Sequence, residues 1–214
     1  AGARAAGRRA LHTFAHVSCL ARHAKILVED AEARDLDDDK WDRWYTCGLC
    51  EQKYHGVVLH ALGWACWKTY VGRPEENQAR INAMNLLGGG LKDAKRHEEG
   101  LFVREAQLST MRRLGAPECD ILVVQANLAS AYYELGRYED AVRIERDVYS
   151  GRLKLFGEEN EATLRTAVNY TRSLGELRRL KEAKSLLRKT IPVARRVLGE
   201  NHEVTLRMRQ TYAQ

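Results

Sequence analysis

Shifted against itself by 42 residues, the second half of this chain falls into register: Leu114-Gly115 lands on Phe156-Gly157 and then on Leu198-Gly199. Glu158, Glu161 and Thr163-Leu164-Arg165 recur as Glu200, Glu203 and Thr205-Leu206-Arg207. Asn127, Glu134-Leu135, Arg137 and Ala141 recur as Asn169, Glu176-Leu177, Arg179 and Ala183. A unit repeating at such a period is one supersecondary element that cannot bury its apolar face alone, so copies stack into a quasi-linear array. Each Gly of these pairs is placed to end a helix in the left-handed αL conformation.

Within one unit, Leu128, Ala131, Tyr132 and Leu135 lie three or four apart. Gly136-Arg137 follows as a turn, and Tyr138, Ala141, Ile144 and Val148 resume the spacing. This is the pattern of two amphipathic helices packed as an antiparallel hairpin. Ala129 and Ala141 are small where the two helices must come close. Only three prolines and three phenylalanines stand against many Ala, Leu, Arg and Glu, a composition that favours an all-α body.

The residues from Asn127 to Ala141, NLASAYYELGRYEDA, and from Leu153 to Leu164, LKLFGEENEATL, resemble the tetratricopeptide (TPR) repeats of kinesin light chain. The resemblance implies a right-handed α-solenoid of helix-turn-helix repeats over residues 79–214, with units at about 79–115, 117–157, 159–199 and a truncated 201–214. The first unit departs from the pattern, with Gly88-Gly89-Gly90 inside its first helix and Glu99 where the family has its small Ala. Each glycine costs about 1 kcal/mol against Ala in a helix interior, so this helix is either broken or held by its neighbours. The last unit stops within its first helix, which serves as a cap or continues in a longer chain.

Ahead of the array, His16-Val17-Ser18-Cys19-Leu20 and Cys47-Gly48-Leu49-Cys50 space their ligand-type residues so that each pair can bite one metal from a tight turn. Residues 16–55 resemble the second half of a RING-CH zinc finger, which recruits a ubiquitin-conjugating enzyme. In that family the two pairs serve different zinc ions, each shared with an earlier cysteine pair, and Ala6 and Arg8 stand where one of those pairs belongs. Three readings are open: a vestigial site, one rearranged zinc held by His16, Cys19, Cys47 and Cys50, or part of a complete finger in a longer protein. Leu20, Ala24, Leu27, Val28 and Ala31 mark one face of a helix ending in the acidic run Asp35 to Asp39. Residues 56–74 read as a buried connecting helix stopped by Pro74, with Trp64 and Trp67 in the core. Residues 1–15, rich in Ala, Gly and Arg, read as a non-native or poorly ordered leader, and the small finger-like segment is expected to be helical.

Stacked hairpins leave their first helices lining a concave face. The kinesin-light-chain resemblance puts Asn127 and Asn169 in that groove, where an amide both donates to and accepts from an extended peptide backbone. Ser130, Tyr133, Arg165, Arg172 and Arg207 are expected to share it. The three arginines either favour an acidic peptide through forked hydrogen bonds, or Arg165 and Arg207 pair with Glu161 and Glu203 four residues earlier.

The expected function is a scaffold that binds a partner protein or peptide. The alternative is a fragment of a RING-CH-type ubiquitin ligase whose repeats choose the substrate. No self-contained catalytic constellation is set up in the sequence. Lys and Arg outnumber Asp and Glu, 35 to 29, but are spread evenly, which argues against a nucleic-acid footprint. No run is apolar for the length of a membrane span. Five cysteines with no regular framework point to a reducing, cytoplasmic setting.

Overall fold

Helix follows helix along the described residues, 16–34 and 38–213, of a computed structural model. The nine α-helices of the described residues are α1 (Val17–Ala33), α2 (Gly56–Tyr70), α3 (Gln78–Asp93), α4 (His97–Arg113), α5 (Glu118–Glu134), α6 (Tyr138–Phe156), α7 (Glu161–Glu176), α8 (Leu180–Leu198) and α9 (Glu203–Ala213). The expected leader and residues 35–37 of the acidic run lie outside the described residues. Helix α1 ends at Ala33 rather than in that run, and Asp38–Trp44 form a 3₁₀ turn of their own. An antiparallel bridge joins Thr46 and Lys53. Among the described residues no helix is long and apolar enough to cross a membrane.

Local chemistry sets several of the boundaries. The side chains of Asn77 and Asn160 accept hydrogen bonds from the first free backbone N–H groups of α3 and α7, at 3.1 Å from Ala79 and 2.9 Å from Ala162. Hairpins α3–α4, α5–α6 and α7–α8 turn at Lys95, Gly136 and Arg178, all at positive φ. These three turns lie 41 and then 42 residues apart, so the first unit is one residue out of the 42-residue register. Gly100, buried on α4, therefore occupies the place of Ala141, and Glu99 does not. At Gly115, with φ of 64° and hydrogen bonds from Gly115 N–H to the Arg112 carbonyl and from Ala116 N–H to the Met111 carbonyl, the expected αL ending forms; at the other two glycines the expectation holds for φ only. Gly157 and Gly199 combine φ of 80° and 91° with ψ of 176° and 164°, an extended region open essentially to Gly alone.

Consecutive helices pack on one another from α2 to α9, so burial is a chain of nearest-neighbour interfaces. The α5–α6 hairpin closes over Ala129 and Ala141, both fully buried. Successive clusters form around Leu101, Val124, Leu128 and Tyr132, then Val142 and Leu174, then Leu164, Leu187, Val193 and Met208.

Helix α3 runs unbroken through its three glycines, and neighbours occupy the space vacated at two of them. A Cβ on Gly90 would stand 2.8 Å from the Leu59 carbonyl oxygen and 2.9 Å from the His60 Cα, so α2 lies backbone against backbone on α3. Gly63 on α2 meets the Leu87 Cα in the same way. Gly88 faces the Arg104 guanidinium, and Gly89 faces open space.

The segment before the array packs onto this α2–α3 seam. Trp41, Trp44 and Tyr70 are buried together, with ring centroids 5.4–6.5 Å apart. Arg73 lies over the Tyr70 ring and forks onto Glu32 of α1 at 2.8 and 2.9 Å. Trp64 and Trp67, expected in the core, are only partly buried, and the shielded tryptophans are Trp41 and Trp44.

Between α6 and α7 a carboxylate is shut in: Glu145 is 3% exposed, and its Oε2 lacks a hydrogen-bond partner. Burial pushes its pKa up to about 7, against the opposing polarity of Ser173 and Arg172.

Gly90→Ala should lower stability by about 1–3 kcal/mol through the clash with α2, whereas Gly89→Ala should raise it by about 0.5–1 kcal/mol. Urea midpoints of the two variants check the contrast. Because the folded pKa of Glu145 lies above its unfolded value, the native state holds the extra proton, and stability falls as pH rises from about 4.5 through about 7. Glu145→Gln should remove this slope and gain up to about 3 kcal/mol at pH 8, read from unfolding curves across that range.

Candidate functional site

The first helices of the hairpins, α3, α5 and α7, present one face that their own second helices do not cover. On α5 this face carries Asp120, Val123, Asn127 and Ser130, three or four residues apart. In the register fixed by the hairpin turns, Asn82, Val123 and Arg165 are equivalent, as are Gly89, Ser130 and Arg172. Asn127 and Asn169 are equivalent too, and both are half-buried.

Asn127 meets the preceding helix through its amide, whose Nδ2 is 3.5 Å from Asn85 Oδ1. Asn85 is itself held from behind. Arg104 donates to its side-chain oxygen at 2.6 Å and its carbonyl at 3.2 Å, and to Gln107 Oε1 at 2.9 Å. Arg104 is 7% exposed, and no carboxylate pairs with it among the described residues. Burial lowers its pKa to about 10, which still leaves it charged at neutral pH. Gly88 makes this possible, since a Cβ there would lie 2.7 Å from the guanidinium.

Ser130 accepts a hydrogen bond from Lys92 Nζ at 2.7 Å, and Lys92 also lies 3.7 Å from Glu134. Tyr133 donates to Glu176 Oε1 at 2.9 Å, takes the edge of Tyr138, and carries the Arg172 guanidinium 3.9 Å above its ring. Burial, and then the bond to Glu176, push the Tyr133 pKa up to about 12. The stacking of Arg172 is a cation–π contact, and its Nε is buried without a hydrogen-bond partner.

Arg165 and Arg207 make the second of the two arrangements considered above. Arg165 pairs with Glu161, and Arg207 with Glu203 at 2.7 Å, one turn back on the same helix. These exposed pairs contribute only about a few tenths of a kcal/mol each, as i,i+4 pairs do in general. They nonetheless neutralise the two cations locally.

Sequence reasoning did not find a cleft of about 370 Å³ on this face, between the starts of α3 and α5 and the end of α4. Ile81, Met111 and Val124 line it along with Asn82, Asn85 and Gln107. Its signal in the sequence is faint: Val123 and Asn82 simply replace arginine at the equivalent position.

The metal candidates form two pairs. His16 and Cys19 lie at the start of α1, exposed, and Cys47 and Cys50 lie in the turn enclosed by the Thr46–Lys53 bridge. Among the described residues no three His, Cys, Asp or Glu side chains converge into a metal-holding group. The turn itself suits a thiolate: the nearby backbone N–H groups of Cys50 and then Leu49 lower the pKa of the Cys47 thiol. Two sulfurs are half of the four ligands that a structural zinc takes.

Residues 122–161 and 163–203 each match the tetratricopeptide repeat family. Among solved structures, a Podosopora anserina kinesin light chain of nearly identical TPR-like repeats is similar at a TM-score of 0.62 and 15% identity, covering 92% of this chain and 83% of that one. A single-substitution variant of that protein gives 0.61 and 16% over the same shares. BtubC of P. vanneervenii gives 0.53 and 13%, covering 91% of this chain and 63% of that one. No curated protein matches the chain by sequence. At these identities the structural likeness establishes the fold, an α-solenoid containing tetratricopeptide repeats.

Proposed function

We propose that this chain is a protein-interaction scaffold that holds an extended segment of a partner against the face formed by α3, α5 and α7. The observation that carries this reading is the half-buried pair Asn127 and Asn169, on equivalent positions of successive first helices. An amide offers a donor and an acceptor at once, which suits an extended backbone and is indifferent to its side chains. Arg104 supports the reading by fixing Asn85 beside Asn127, so part of the amide surface is pre-organised and little ordering entropy is lost on binding. Ser130, Tyr133 and Arg172 would form the wall of the same groove, with Arg165 and Arg207 at its later end. Five free thiols accord with a reducing, cytoplasmic setting.

The test is selection of random twelve-residue peptides displayed on phage against the full chain. Related sequences should enrich. Asn127→Ala combined with Asn169→Ala should weaken the synthesised peptides by about tenfold or more while far-UV circular dichroism stays unchanged. Binding indifferent to both substitutions would remove the groove assignment.

A second reading is favoured by the turn closed by the Thr46–Lys53 bridge, which carries Cys47 and Cys50 together and whose backbone N–H groups favour the Cys47 thiolate. In it residues 16–55 belong to a RING-CH-type ligase that recruits a ubiquitin-conjugating enzyme, and the repeats select the substrate. The His16–Cys19 and Cys47–Cys50 pairs would serve separate zinc ions, the arrangement implied by that resemblance. Zinc uptake, measured by competition with a chromophoric chelator, should drop in Cys47→Ser and Cys50→Ser. Uptake equal to that of the unsubstituted chain would count against this reading.

A further inference from the structure

We infer that the cleft between α3 and α5 is a pocket for one large apolar side chain carried next to a lysine or arginine in the bound segment. The inference rests on the proposed scaffold reading and gives the groove a chemistry at its early end. One of the two expectations from sequence was an acidic ligand, on the strength of three arginines. Two of those are paired with glutamates on their own helix, and the third lies on Tyr133. At the position equivalent to Arg165 the earlier units offer Asn82 and Val123 instead, and Val123 is 48% exposed at the edge of the cleft.

Size, lining and charge agree on the occupant. A volume of about 370 Å³ accommodates an aliphatic or aromatic side chain with part of its backbone. Ile81, Met111 and Val124 give it an apolar floor, and amides stand where a flanking backbone would pass. The two charged residues at the cleft are Glu76 and Asp120, both exposed carboxylates with no cationic partner among the described residues. Their neighbour Glu75, by contrast, is taken up by Arg80 and Arg113. Two unpaired carboxylates beside an apolar pocket attract a cation and repel an acid, which sets the sign of the residue next to the anchor.

The experiment uses the full chain and the phage-displayed random twelve-residue library. The expected consensus is a Leu, Ile, Met or aromatic residue adjacent to Lys or Arg. A synthesised peptide of that consensus is then measured by fluorescence anisotropy against two surface variants. Val123→Trp, which fills the cleft, should weaken binding by about tenfold or more. Glu76→Lys with Asp120→Lys should weaken it about three- to tenfold, and a peptide with Glu in place of its Lys or Arg should recover the loss. Urea midpoints of both variants should stay at the parent value.

Enriched peptides that depend on Asn127 and Asn169 but carry an acidic consensus, or that ignore Val123→Trp, would overturn the pocket and leave the scaffold standing. Failure of any related peptide to enrich would overturn both.

Discussion

Helix α2 lies on α3 with Gly90 against the Leu59 carbonyl and Gly63 against the Leu87 backbone, and the hairpins behind them close over Gly100, Ala129 and Ala141. These small residues set the separation of the helices, and the separation sets everything else. In a linear stack each repeat touches only its neighbours, so no distant contact compensates for a helix pushed outward. Close approach also lets short side chains such as Asn85 and Asn127 reach across from one first helix to the next. The uncovered face is thus a by-product of backbone proximity.

The same seam explains how a segment outside the repeats becomes part of the stack. Trp41, Trp44 and Tyr70 bury large rings against α2, and the Arg73–Glu32 fork holds α1 to its end. Aromatic burial supplies the area, and the fork supplies direction, since a bidentate pair fixes orientation as well as distance. The Cys47–Cys50 turn is carried on this platform at a fixed place ahead of the array.

Charge in the array is mostly local. Arginines at the hairpin turns and along the helices are matched by carboxylates three or four residues away, as in Arg137–Asp140, Arg165–Glu161 and Arg179–Glu182. Others, such as Lys92–Glu134 and Arg196–Glu159, join different elements, and two buried ionisable groups have no ionic partner at all among the described residues. Arg104 is buried among amides without a counter-ion, and Glu145 is buried with a pKa near neutrality. A buried ionisable group without a matched partner is costly, and each of these is held by the packing around it.

Much of the architecture is legible in the sequence. The repeat register locates the hairpins, because apolar spacing and turn residues are local signals, and Ala129 and Ala141 are buried where two helices close on each other. A constant shift of 42 reads the first unit one residue out of register, since it cannot reveal a unit shortened by one. Trp41 and Trp44 escape the pattern because a 3₁₀ turn buries its residues without α-helical periodicity. The three glycines of α3 look like a defect in sequence, yet Arg104 and α2 fill the space beside two of them. What the sequence determined by itself was the order and pairing of the helices, because hairpin formation depends on residues close along the chain. What only the tertiary structure decided was the chemistry of the exposed face. Whether a glycine admits a neighbour, and whether Glu76 and Asp120 share a cleft with Val123, depend on residues far apart along the chain. Their juxtaposition is fixed by how closely the helices pack, a distance that periodicity alone does not specify.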